Sequence, residues 1–155
     1  MFKKRESIFE VEEGKFLAPK FDGDGLISVT TTDSGSGDLL MHGYMNEEAL
    51  KKTIETKEAH YWSRSRKALW HKGKTSGFVQ KVIELRIDDD QDALWMSVDI
   101  GNGASCHVGY KSCFYRSIPL GPIKNTDEIE LEFKEKEKKF DPEKVYEGQQ
   151  NPTKL

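Results

Sequence analysis

The sequence predicts a mostly β fold of the α+β class: a single mixed sheet curled into a pseudo-barrel, with one main helix over residues 47–57. Three observations predict it. Segments near 26–31, 39–45, 78–87 and 93–100 are rich in β-branched and apolar residues, and several alternate with period two. Clusters of Gly, Asp, Ser and Asn separate them. Only one stretch repeats its apolar residues at strong helical spacing.

Residues 1–20 form an arm, polar and broken by Gly14, with Gly23 and Gly25 just beyond it. It reads as irregular chain or a short strand. Leu26–Thr31 is a strand, Asp33–Asp38 a turn, and Leu39–Met45 the second arm of a hairpin. Asn46 is an N-cap, since its side chain accepts from a free amide of the first turn. Glu47 and Glu48 then lie at the positive end of the helix dipole. Ala49, Leu50, Thr53 and Ile54 mark the helix's inner face. His60–Arg66 alternates as a strand that puts His60, Trp62, Arg64 and Arg66 on one face. Trp70–Gly77 is a polar loop. Phe78–Ile87 is a long strand with Val79, Ile83, Leu85 and Ile87 inward. After the acidic turn Asp88–Asp92, Ala93–Ile100 alternates with Leu94, Met96, Val98 and Ile100 inward. Cys113–Ile118 is a strand, and Glu128–Phe133 adds an edge strand. The main domain thus covers 21–133, and 134–155 is a charged tail, read as a short helix or as disordered chain.

Composition narrows the function. The formal net charge is -3, with both signs mixed along the chain, which argues against a nucleic-acid binder. No apolar run approaches the ~20 residues of a membrane span, and the first residues lack the apolar stretch of a signal peptide. A cytoplasmic protein is expected. The two cysteines, Cys106 and Cys113, stay reduced there unless a metal holds them. A metal site must draw further ligands from other residue types or from a second subunit.

Three constellations carry chemistry. Asp88, Asp89, Asp90 and Asp92 crowd negative charge into one turn. A hard cation such as Mg²⁺ relieves that repulsion, and Asp88, Asp90 and Asp92 share a side if the segment is extended; a solvated acidic turn is the other reading. Cys106, His107 and Cys113 offer two thiolates and an imidazole, a donor set that suits a catalytic zinc with one position left for water. His107 is then placed for acid–base work. Two packed thiols beside a surface histidine is the alternative. From His60 to Lys74, Arg64, Arg66, Lys72 and Lys74 offer charge for phosphate, and Trp62 and Trp70 offer stacking faces. Ser76 adds a hydroxyl near the end of the loop. A charged outer face over half-buried tryptophans is the competing reading. Together the three describe a site for a phosphorylated aromatic molecule beside one or two metals.

The blocks Tyr44–Leu50, His60–Arg66, Leu69–Gly77 and Cys106–Tyr115 resemble the phosphoribosyl-AMP cyclohydrolase family in order and spacing, over roughly residues 21–118. The resemblance implies the third step of histidine biosynthesis, in which water adds to C6 of an N1-ribosylated adenine and the N1–C6 bond breaks. It implies a homodimer with active sites at the subunit interface. Cys106 and Cys113 would be zinc ligands and His107 would assist proton transfer. Asp88, Asp90 and Asp92 would hold Mg²⁺. Arg64, Arg66 and Lys72 would meet substrate phosphates, with Trp62, His71 and Ser76 also lining the substrate site. The chain departs from the pattern at Asp89, where the family carries a cysteine as third zinc ligand. An oxygen donor there should shift preference from Zn²⁺ toward Mn²⁺ or Fe²⁺. The segment at Gly101–Gly103 is one residue longer than usual, and His42 stands where the family has apolar or small residues, as a replacement ligand or a packed side chain. The short remainder after Ile118 leaves no room for the fused pyrophosphohydrolase some relatives carry, so a monofunctional chain is expected. Two other outcomes stay open at this stage: a related metallohydrolase acting on another purine nucleotide, and a non-catalytic nucleotide- or metal-binding paralogue.

Overall fold

Four seven-residue strands build the main sheet of the computed structural model, which describes residues 1–153 and 155. They are β1 (Ile27–Asp33), β2 (Leu39–Met45), β5 (Lys81–Ile87) and β6 (Ala93–Asp99). Their order is β2-β1-β6-β5. The outer pairs are antiparallel and come from hairpins, while β1 and β6 run parallel. A parallel pair needs a long crossover. Here it contains β2, helix α2 (Glu47–Thr56), a separate hairpin of β3 (His60–Ser63) and β4 (Ala68–His71), and β5 itself. A short helix α1 (Ile8–Glu12) precedes the sheet; β7 (Arg116–Ser117), β8 (Glu132–Phe133) and helix α3 (Pro142–Val145) follow it. No helix is long and apolar enough to cross a membrane among the described residues.

The mixed sheet and the single substantial helix agree with the sequence, but the sheet does not close into a barrel. Four strands, each pair twisting by roughly 20–25°, curl without bringing their edges together. The β3–β4 hairpin occupies the gap instead. It lies against β2 and touches β5 through a single bridge, Glu58 to Lys81. The core fills the concave side: Ile27 and Val29 of β1, Leu40 and Met45 of β2, and Met96 and Val98 of β6 pack with Ala49 and Leu50 of α2 and with Tyr61 of β3. Full burial of a side chain such as Leu50 stabilises the fold by about 1.5–3 kcal/mol. Tyr61 reaches the core because position 43 is glycine. A Cβ there would sit 2.9 Å from the tyrosine ring.

Helix α2 begins as its sequence dictates, with Asn46 Oδ1 accepting from Ala49 N at 2.8 Å, and it ends where Lys57 turns left-handed at φ 57°. Other elements differ from expectation. The strand starting at His60 stops at Ser63, so Arg64 and Arg66 ride on an exposed turn that closes through Lys67 at φ 48°. Trp70 and His71 belong to strand β4 rather than to a loop. Strand β5 begins only at Lys81 and carries a bulge between Val82 and Glu84. That extra residue reverses the facing, so Ile83 points outward, 64% exposed, while Leu85 and Ile87 still pack on the core. The arm contains α1, capped by Ser7 accepting from Glu10 N. The expected strands at 113–118 and 128–133 shrink to the two-residue ladder of β7 and β8.

The segment after β8 is docked on the cysteine loop. Glu135 accepts from Lys111 N at 2.8 Å and Ser112 N at 2.9 Å, one on each carboxylate oxygen. Lys139 N donates to Gly109 O, and Phe140 O would lie 2.6 Å from any Cβ at Gly109, whose φ is +106°. Only glycine fits that position. Phe140 then stacks on Phe78 with ring centroids 5.1 Å apart.

Candidate active site

A cavity of about 930 Å³ opens where the β3–β4 hairpin, the end of β2, the cysteine loop and the last residues of the chain meet. Its volume is in the range of sites that enclose small organic ligands.

The cysteine loop is one wall. Ser105 N bonds to Lys111 O and Cys106 N to Tyr110 O, which folds the chain back; Cys113 N bonds to Leu40 O and anchors the return to β2. The two sulfurs come within hydrogen-bonding reach. The Cys113 thiol donates to Cys106, and this bond, helped by the nearby Lys72 ammonium, pulls the Cys106 thiol down to about 6. Cys113 is pushed up for the same reason and by burial, so one sulfur of the pair is the thiolate and the other its donor.

Lys72 lies under this loop, only 4% exposed, with its ammonium donating to Ser105 O and 4.8 Å from the Trp70 ring centroid. Burial pushes its proton affinity down, while the negative charge of the Cys113 and Cys106 sulfurs pulls it up. A buried cation beside paired thiols compensates their ionisation. Behind it runs a buried polar chain. Thr31 Oγ1 lies 2.8 Å from Tyr61 OH, Tyr61 OH donates to Gln80 Oε1 at 2.7 Å, and Gln80 Nε2 donates to Ser105 Oγ at 2.9 Å. This chain fixes the residue whose carbonyl holds Lys72. His107, next to Cys106, lines the cavity and has its Nε2 buried with no hydrogen-bond partner. Burial, reinforced by Lys72, lowers its proton affinity, and a hydrogen bond with Asn151 opposes that. The ring is thus a neutral base with a free nitrogen at neutral pH.

The hairpin supplies the other wall. The Arg64 guanidinium covers the Tyr44 ring at 4.1 Å. Arg66 is held by Ser63 Oγ at 3.1 Å and lies over Trp70 at 5.4 Å. Trp62 and Ser76 face the same space. His71 stacks on His60 at 4.4 Å, and its Nε2 sits 2.7 Å from Glu58 Oε2, off the line of an N–H bond. His42 lines the cavity 3.4 Å from Thr30 Oγ1 and edge-on to Tyr44; it joins no cluster of three potential metal ligands among the described residues.

The acidic turn lies elsewhere. Asp88, Asp89 and Asp90 bring carboxylate oxygens within 4.8 Å of one another, and they are the group of three potential metal ligands found among the described residues. Asp92 is not part of this group; Lys20 bridges it at 3.1 Å to Asp90 at 3.7 Å, and Asp88 Oδ1 is engaged by the amides of Asp92 and Ala93. The turn caps one end of β6 and the cysteine loop follows the other. Seven strand residues separate the ends by about 20 Å. Asp89 and the cysteine pair of one chain therefore cannot share an ion.

The structure thus brings Cys106, Cys113, His107, Lys72, Trp62, Arg64, Arg66, His71 and Ser76 to one cavity region, and leaves Asp88, Asp89, Asp90 and Asp92 outside it. Lys72, expected to meet substrate phosphate, is buried in the cavity wall beside the two thiols. Tyr61, Gln80 and Ser105 were not singled out in the sequence, and neither were Glu135 and Asn151. The signal for Gln80 was a lone amide at the edge of an apolar strand. Two thiols within reach of each other, beside an imidazole with an unpartnered nitrogen, are a donor set that fits zinc.

The chain is similar to known proteins over most of its length. The sequence model of the phosphoribosyl-AMP cyclohydrolase family matches residues 41–115. A protein of Rhodopseudomonas palustris (strain HaA2) named phosphoribosyl-AMP cyclohydrolase is 56% identical over 140 residues, 90% of this chain and 93% of the relative. A protein of the same name from Nitrobacter winogradskyi is 50% identical over 141 residues, 91% of this chain and 94% of the relative. One from Brucella canis is 59% identical over 109 residues, 70% of this chain and 78% of the relative. With identity this high over nearly the whole of both chains, the protein belongs to the phosphoribosyl-AMP cyclohydrolase family.

Proposed function

We propose that this chain opens the adenine ring of 1-(5-phosphoribosyl)-AMP by hydrolysis at the N1–C6 bond, a step of histidine biosynthesis, in the cavity described above, and that it does so in the cytoplasm. The observation that carries the reading is one cavity joining a thiol pair with its own buried cation to a wall of arginines and aromatic rings. Arg64 and Arg66 grip phosphate through their planar forks, and Trp62 stacks the base. The free Nε2 of His107 takes the proton of the attacking water and returns it to the departing N1. The Cys113 hydrogen bond, with help from Lys72, holds Cys106 as the thiolate.

Cys106 and Cys113 would hold zinc, with Mn²⁺ or Fe²⁺ as alternatives if the third donor is an oxygen. When bound there, such an ion supplies the Lewis acidity that turns water into a nucleophile at neutral pH. The third protein ligand would be Asp89 of a second copy, since β6 keeps a chain's own Asp89 about 20 Å away. That reading makes the working enzyme a homodimer with its sites at the interface. Asp88 and Asp90, which share the turn with Asp89, offer the hard oxygens that Mg²⁺ prefers, and Asp92 joins them only by releasing Lys20.

The test is direct. Purified protein is incubated with phosphoribosyl-AMP and Zn²⁺, Mn²⁺ or Fe²⁺ in turn, and the ring-opened product is followed by absorbance. No product with any of the three refutes the activity. Full turnover by a species that sediments as a monomer refutes the shared site.

A further inference from the structure

The segment from Pro142 to Thr153 lies over the cavity and makes its third wall. Tyr146, Gln149, Gln150 and Asn151 line the same space as Arg64 and Lys74. The segment is held there by contacts that precede it: Glu135 on the cysteine loop, Lys139 N on Gly109 O, and Phe140 between Phe78 and Tyr146. Gln149 N closes a turn onto Tyr146 O. Asn151 Oδ1 accepts from Thr153 N at 2.9 Å, and Asn151 lies beside the His107 ring, whose protonated form it favours as a hydrogen-bond acceptor.

We propose that Gln149, Gln150 and Asn151 form the subsite for the ribosyl group carried on N1 of the adenine. The inference rests on the reading of the cavity as the phosphoribosyl-AMP site. Charge divides the cavity: the hairpin side presents Arg64, Arg66 and Lys74, whereas these three side chains are neutral amides. Phosphate is drawn to the cations. Sugar hydroxyls, which both donate and accept, are matched by amides, which do the same. Position decides which sugar. Asn151 touches His107, and His107 adjoins Cys106, so the amides flank the reacting end, where N1 neighbours C6. The anchors at residues 135–140 hold this wall in place before substrate arrives, so little ordering is left to oppose binding.

The test compares the full chain with a variant ending at Tyr146, which keeps every anchor, and with Gln149→Ala/Gln150→Ala/Asn151→Ala in the full chain. Two ligands are used: phosphoribosyl-AMP as substrate, and AMP, which lacks the N1 sugar, as competitive inhibitor. Loss of two or three neutral hydrogen bonds raises KM for phosphoribosyl-AMP by about tenfold or more, while the AMP inhibition constant moves less than about twofold. The melting temperature stays within a few degrees of the full chain's. An unchanged KM overturns the proposal. So does an equal rise for both ligands, or a large fall in melting temperature in both variants, since either assigns the segment a structural role only. Absence of turnover by the full chain sinks the cyclohydrolase reading instead, and in that case AMP binding that is unchanged in both variants shows that the phosphate and base wall works without the amides.

Discussion

Glu135 offers a sharp test of how the cysteine loop is held. Its two carboxylate oxygens accept from consecutive amides, Lys111 N and Ser112 N, at 2.8 and 2.9 Å. Glu135→Ala removes both acceptors. A hydrogen bond to a charged group contributes about 1.5–3 kcal/mol, and because Glu135 is half-buried, water recovers part of each amide's loss, so roughly 2–4 kcal/mol is expected in all. For a chain of this size each kcal/mol moves the melting temperature by about 2–4 °C, which gives a fall of about 4–16 °C in a calorimetric scan. Glu135→Gln keeps one acceptor oxygen and turns a donor toward the other amide, so it falls between wild type and alanine. Glu132→Ala is the control: its carboxylate is exposed and meets only surface partners, Lys134 and Ser117, so the melting temperature should move by no more than a degree or two. A Glu135→Ala melting temperature within a degree or two of wild type would refute the claim that the tail clamps the loop.

Two other outcomes follow from the charges. Lys72→Met removes the buried cation that helps hold Cys106 near 6, so thiolate absorbance of metal-free protein should titrate at a higher pH than in wild type; an unchanged midpoint would show that the hydrogen bonds from Cys113 and the Val108 backbone set it without the cation. Lys111 bridges Asp33 at 3.0 Å and Asp38 at 2.8 Å. Asp38 is lowered by Lys111 and then Ser36; Asp33 is lowered by Lys111, Ser36 and Gly35 together, against its burial. Groups held below their unfolded values give stability that is present above about pH 4 and lost as pH falls through the folded values, so the urea midpoint of wild type should drop on acidification over that range. Lys111→Met should flatten that acid limb, and at the alkaline end it should remove the loss that accompanies deprotonation of a lysine whose affinity for protons is raised in the fold.

What could be read from the sequence was local. Strand β2, the Asn46 cap of α2 and the inward set of β6 each follow from neighbours in the chain, and each stands in the structure. The Cys106–His107–Cys113 and Arg64–Arg66 constellations were legible because their residue types are unusual together. The rest depended on partners far along the chain. Ile83 faces outward because of a bulge, and a bulge is settled by pairing with β6, not by the alternation of β5. Arg64 and Arg66 left their strand because Lys67 takes a left-handed turn that nothing in its chemistry announces. The tail showed no period because its order comes from docking: Phe140 and Glu135 each find a partner in the segment 78–112. The polar chain from Thr31 to Ser105 joins four separate segments, and no single window of sequence contains it.

The parallel pairing of β1 with β6 sets the order in which a nascent chain can fold. Ser28 pairs with Ala93, so the two strands lie 65 positions apart (93 minus 28). While the ribosome is still making the crossover, the hairpin of β1 and β2 has one flank bare, offering unpaired amides and carbonyls to any extended segment nearby. Only when β6 emerges is that flank covered, and the cysteine loop follows immediately behind it. The cysteine loop is thus placed late, on a sheet whose completion is the slow, long-range event of folding.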